Sequence, residues 1–100
     1  MLFHTSWTRR DSGAGEEEDR RALAIQEKFD VPPGVTVHSW TQRVDGTGGF
    51  AMIEMDDANA LAPSILTFSP FFEFEIVPVI QHEQWMTALA AAISFREGVR

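Results

Sequence analysis

The chain reads as an α+β domain of ferredoxin-like order, βαββαβ with a C-terminal helix, over a four-stranded antiparallel sheet. Three observations carry this expectation. Short stretches rich in β-branched and aromatic residues alternate with stretches of helical periodicity. The segments 46–54 and 70–79 carry apolar residues on both faces of a strand, with a few acids set among them. A chain of 100 residues supplies enough helix to cover only one face of such a sheet. Strands that are apolar on both sides therefore call for a second cover, most simply a second copy of the chain.

The elements follow in order. Residues 2–8, Leu-Phe-His-Thr-Ser-Trp-Thr, make a first strand. Residues 9–15 are polar with two glycines and read as a mobile loop. From Glu16 to about Phe29 the pattern is helical, with acids in the first turn and Ala22, Ile25 and Phe29 on one face. Pro32, Pro33 and Gly34 end that helix, because neither proline can continue it. Residues 35–44 form the second strand, and Asp45-Gly46-Thr47-Gly48-Gly49 supplies the positive φ of a hairpin turn. Residues 50–55 return as the third strand. Asp56 or Asp57 caps a helix through Leu61 toward Phe68, which Pro63 shortens or kinks. Residues 71–79 form the fourth strand, and a last helix from about His82 to Phe95 aligns Trp85, Leu89, Ala92 and Ile93.

Composition bounds the function classes. The whole length, 1–100, reads as a single domain, with 44% hydrophobic residues and 11 aromatics, too apolar for a disordered tail. A net charge of −7 repels phosphate backbones and anionic lipid, and the basic pairs Arg9-Arg10 and Arg20-Arg21 are offset by Glu16 to Asp19. No nucleic-acid partner and no membrane partner is expected. No apolar run spans a bilayer, and Met1-Leu2-Phe3-His4 lacks the pattern of a signal peptide, so the expected compartment is the cytoplasm. The absence of cysteine excludes a disulfide framework and any thiolate ligand or nucleophile.

Strand alternation sorts side chains into two faces. The more apolar set, assigned to the helices, is Phe3, Thr5, Trp7; Val35, Val37, Ser39; Ala51, Ile53, Met55; Phe72, Phe74, Ile76. The opposite, bare face is assigned Leu2, His4, Ser6; Thr36, His38, Trp40; Phe50, Met52, Glu54; Phe71, Glu73, Glu75, Val77. That mixture is too apolar for water and too polar for an ordinary core, which suits a dimer interface or an enclosed pocket.

The candidate catalytic residues are His4, His38 and Glu54, which the strand order 1-3-2 brings to the bare face. A histidine could move a proton near neutral pH with the glutamate fixing its tautomer. The absence of an accompanying nucleophile, metal spacing or oxyanion signature favours the plainer reading, in which the three are mutually satisfied polar groups in a dimer interface. Two histidines and a carboxylate are also the ligand types of an iron site, but their separation in sequence gives no motif, so neither metal nor cofactor is expected. Trp40, Phe50, Met52 and Phe71 are the candidate walls for a flat hydrophobic ligand. Glu73 and Glu75 point the same way on one strand, either as an acid–base pair or as solvated edge residues. Gly46, Gly48 and Gly49 are turn residues and not a phosphate loop, since a strand follows and no Lys-Ser/Thr does.

The run 46–54, the segment Pro-Phe-Phe-Glu-Phe-Glu-Ile-Val-Pro-Val and the opening Phe3-His4-Thr5-Ser6-Trp7-Thr8 together resemble a bacterial family of short proteins known as domain of unknown function 3303. The resemblance covers nearly the whole chain. It implies a dimeric α+β barrel, in which two ferredoxin-like sheets close on each other, and it implies no activity. The functional expectation is thus a homodimer that binds or transforms a small organic molecule in a barrel pocket. The alternative is a non-catalytic dimeric structural or regulatory module.

Overall fold

The alternating opening of the chain pairs as the centre of the sheet. In the computed structural model, which describes residues 1–10 and 15–99, β1 (Leu2–Arg9) lies between β3 (Gly48–Met55) and β4 (Phe72–Val79). β2 (Val35–Gln42) pairs outside β3, giving an antiparallel sheet of order β2-β3-β1-β4. Pro78 sits in β4, an edge strand, where its missing N–H interrupts no interior ladder. Three α-helices complete the described residues: α1 (Glu16–Lys28), α2 (Ala62–Phe68) and α3 (His82–Gly98). The order is that of a ferredoxin-like fold. The expected loop over 9–15 falls largely on residues 11–14, outside those described.

Local chemistry explains most element boundaries. Asp45 ends β2 two residues before the expected Val44, by gathering the turn around itself. Its carboxylate takes both arms of Arg43 at 3.1 and 2.7 Å and accepts from the Thr47 N–H at 3.0 Å and the Thr47 hydroxyl at 2.6 Å. The Arg43 guanidinium, then Thr47, hold this carboxyl well below the usual carboxylate range. Gly46 takes φ +75°, the left-handed turn conformation the sequence called for. Pro63 falls in the first turn of α2, where its missing N–H costs nothing. The expected second helix is therefore divided into a 3-10 turn, Ala58–Ala60, capped by Asp57, and α2 itself.

The core lies on one side of the sheet. Phe3, Ala51, Ile53 and Met55 are buried there, with Trp7, Val35, Val37 and Leu61 packed against them. α1 reaches this layer through Phe29, whose ring meets Phe68 of α2 edge-on at 5.2 Å and Trp40 at 6.3 Å. Arg9 is ion-paired to Asp19 of α1, and Arg10 bonds both Glu73 at 3.1 Å and the Ser69 carbonyl at 2.7 Å. The Arg10 pair gives Glu73 a structural partner and separates its role from that of Glu75.

One expectation of the face assignment is overturned. Val37 pairs with Ile53 but Ser39 pairs with Met52, so His38 is an extra residue in β2. This β-bulge inverts the alternation beyond it. Ser39, expected under the helices, moves to the bare face. Trp40, expected on the bare face, pairs with Ala51 and enters the helix-covered layer, edge-on to Trp7 at 6.4 Å. Phe71, expected in the fourth strand, precedes it. Its carbonyl accepts from the Arg10 N–H at 2.9 Å at the entry to β4.

α3 is different in kind. It opens with a reciprocal capping box between Gln81 and Gln84, yet none of its residues is buried, and Trp85, Met86 and Phe95 are all exposed. The molecule measures 63 × 29 × 21 Å. No helix among the described residues is long and apolar enough to cross a membrane.

Candidate functional site

Two concavities flank the sheet, one on each face. Under the helices lies a cavity of about 140 Å3 whose walls include Trp7, Phe29, Trp40, Phe68 and Phe74. The bulge at His38 supplies one of these walls by turning Trp40 inward. The Gln42 amide lies between the Trp40 indole and the Gly48 carbonyl; turned with its oxygen toward the indole, it would accept from Trp40 Nε1 at 3.2 Å and donate to the Gly48 carbonyl at 3.3 Å. Trp7 packs against Phe74 at 6.2 Å, and its ring lies over Gly49, where an added Cβ would come within 2.6 Å of it. The floor is the centre of the sheet, Thr5, Ala51 and Ile53.

Thr5 is the one polar group among these floor residues. It is only 4% exposed, and its hydroxyl has no hydrogen-bond partner. A buried hydroxyl without a partner costs on the order of 1–3 kcal/mol, so most are satisfied. This one borders a cavity whose other walls are mostly apolar, the remaining polar side chains being Gln26, Gln42 and Ser64.

On the bare face, His38 and Glu54 do meet. His38 Nε2 lies 2.8 Å from Glu54 Oε1, bridging β2 and β3, and both side chains remain about half exposed. They line an open groove together with Met52, Val79 and Gln84 at the root of α3. His4 is on the same face but stays with Phe50, their rings tilted at 6.0 Å. Among the described residues no three such side chains gather as metal ligands would, so His4, His38 and Glu54 form a pair and a neighbour, not a triad.

The sequence-derived site thus divides. His4, His38, Glu54, Phe50 and Met52 share the bare face; Trp40 belongs to the other cavity; Phe71 lies beside Arg10 at the start of β4. The sequence pattern does not single out the aromatic cavity as a site, although it assigns Trp7 and Phe74 to the helix-covered face. A signal was present: the apolar alternation of Val35 and Val37 resumes at Trp40, one residue out of phase, which is the mark of a bulge.

Comparison with known families decides the affiliation. The family described as domain of unknown function (DUF3303) matches residues 1–93. The chain belongs to the DUF3303 family. No curated protein matches it. The family description assigns no chemistry, so a functional reading of this DUF3303 chain rests on the two concavities beside its sheet described above.

Proposed function

We propose that this DUF3303 protein is a homodimeric binding module for a small, flat, largely apolar molecule carrying one hydrogen-bonding group. The ligand occupies the cavity between the sheet and α1/α2, its rings among Trp7, Phe29, Trp40 and Phe74 and its polar atom toward the Thr5 hydroxyl. That hydroxyl is solvent-inaccessible in the free chain and is uncovered by a small shift of the walls on binding. The observation that carries this reading is Thr5 itself, buried and unpartnered at the floor of an aromatic cavity of about 140 Å3. A cavity of about 150 Å3 accepts benzene, so the space suits a single aromatic ring. Aromatic walls with a few placed polar groups, here Thr5, Ser64, Gln26 and Gln42, are the ordinary composition of a small-molecule site.

Phenol and benzene are the probes that test it. Phenol at millimolar concentration raises the melting temperature and perturbs tryptophan emission, and does so more than benzene. Thr5→Val, which keeps the shape and removes the hydroxyl, abolishes the preference for phenol while leaving the fold at least as stable. Absence of any thermal shift with either probe would overturn the reading.

The hydrogen bond between His38 and Glu54 favours a second reading, proton transfer on the bare face. Glu54 occupies one ring nitrogen of His38 and leaves the other to exchange a proton with a bound molecule, with His4, Phe50 and Met52 beside it. In this reading Glu54→Gln removes turnover while leaving phenol binding under the helices unchanged.

A further inference from the structure

The chain leaves two apolar surfaces uncovered. The first is the bare sheet face, where Phe50 and Val77 are each about two-fifths exposed beside Leu2, Met52 and the His38–Glu54 pair. The second is α3. From Gln84 to Phe95 this helix has no charged residue, and its apolar side chains spread well beyond a single stripe. A helix apolar over most of its circumference belongs inside a structure. Here no residue of it is buried, and Phe95 is 74% exposed.

The global dimensions agree. The chain exposes 7639 Å2, whereas a compact globule of this mass exposes about 5,700 Å2. Its radius of gyration is 18.1 Å, against about 13 Å for a compact domain of 100 residues. The excess surface, roughly 1,900 Å2 per chain, falls in the range that intimate homodimers bury.

We propose that α3 is an exchanged arm: each chain lays this helix across the bare sheet face of a second copy, closing the groove that holds His38 and Glu54. The proposal rests on the homodimer reading above and specifies how that dimer is built. A helix of 17 residues is about 25 Å long, and strands of eight residues span about 26 Å, so arm and face match in length. The exchange is self-complementary, as a two-fold interface requires, because each copy offers one arm and receives one. Although α3 also carries Glu83 and Glu97, one ion pair across the seam is available. Arg96 is the basic residue in the last turn of α3, and Glu75 lies on the bare face opposite Ser6; neither has an ion-pair partner among the described residues. The helix lacks the row of lysines and arginines with which a surface helix grips an anionic membrane. The groove at the root of α3, bordered by Gln84, His38 and Glu54, would then lie in the seam between copies, so the proton-transfer site is incomplete in one chain alone.

The test joins light scattering, hydrogen exchange and cross-linking on the full chain. At about 10 μM the chain has the mass of a dimer, and α3 amides are protected, losing protection on dilution. The variant Leu89→Glu with Ile93→Glu has the mass of one chain and retains its sheet spectrum; should it fail to fold, exchange in the unmodified chain decides. A photo-cross-linker on Ala92→Cys, the chain having no cysteine of its own, links to residues 4–6 and 50–52 of the other chain. A monomeric unmodified chain would end both the dimer and the arm. A dimer with fast-exchanging α3 amides, or with interchain links confined to α1 and α2, would overturn the arm and leave the dimer standing. A monomer that binds uncharged phosphatidylcholine vesicles through α3 would replace the second copy with a lipid surface.

Discussion

The centre of the sheet and α3 hold similar proportions of apolar side chains, yet Ile53 and Met55 are 4% and 3% exposed whereas Trp85 is 50% exposed. The difference lies in what each is given to pack against. β1 and β3 have a strand on either side and the helical layer above, so their inward residues close a core within the chain. α3 follows the last strand, after every inward position of the sheet has been assigned, and its own chain leaves it without cover among the described residues. Apolar content states a demand for burial; only topology states whether the demand is met within the chain.

The largest expected effect is at the tightest point of the well-packed region. A Cβ on Gly48 would stand 1.9 Å from the Trp7 carbonyl, a backbone atom that cannot move without breaking the β1–β3 pairing. Gly48→Val therefore costs about 3 kcal/mol or more. Gly46→Val, strained at φ +75° but with open space around it, costs about 1–2 kcal/mol. Chemical denaturation of the two variants gives the order, and equal losses would contradict the packing described for Gly48.

Paired truncations sharpen the contrast between the faces. Ile53→Ala under the helices loses about 2–5 kcal/mol. Val77→Ala on the bare face, 41% exposed within one chain, stays within about 0.5 kcal/mol if the face is open to solvent. A loss above about 1 kcal/mol at Val77 that vanishes on dilution places that face in an interface, and melting curves at two concentrations measure it.

The smallest effect concerns the Asp45 turn. Arg43 and Thr47 lower the folded-state pKa of this carboxyl below its unfolded value of about 3.9. Its contribution is then present above that unfolded value and is lost as pH falls through the folded one. Stability declines on acidification below about pH 4, and Asp45→Asn removes that part of the decline. The group is fully exposed, so solvent screening keeps the effect small.

Much of this was legible in the sequence, and the exceptions are instructive. Glycine at 46, proline at 63 and the acids of α1 act within a few residues of themselves, so their consequences could be read locally. Strand order and alternation put His4, His38 and Glu54 on one face; which histidine Glu54 engages depended on the register of β2 against β3. Trp40 was placed on the wrong face because one inserted residue reverses every side chain after it, and nothing in local propensity forbids the insertion. The expectation for Phe71 failed more simply, since β4 begins one residue later.

By itself the sequence determined the element order, the turn at Asp45–Gly49, the acidic charge and the excess of apolar surface over what a small chain can bury. These depend on residue type and short-range sterics. The tertiary structure alone decided that Trp40 and Thr5 share a cavity, that His38 meets Glu54 while His4 does not join them, and that α3 is left without cover. Those outcomes depend on register and on the direction in which one element leaves another, and both are set by the sum of many distant contacts.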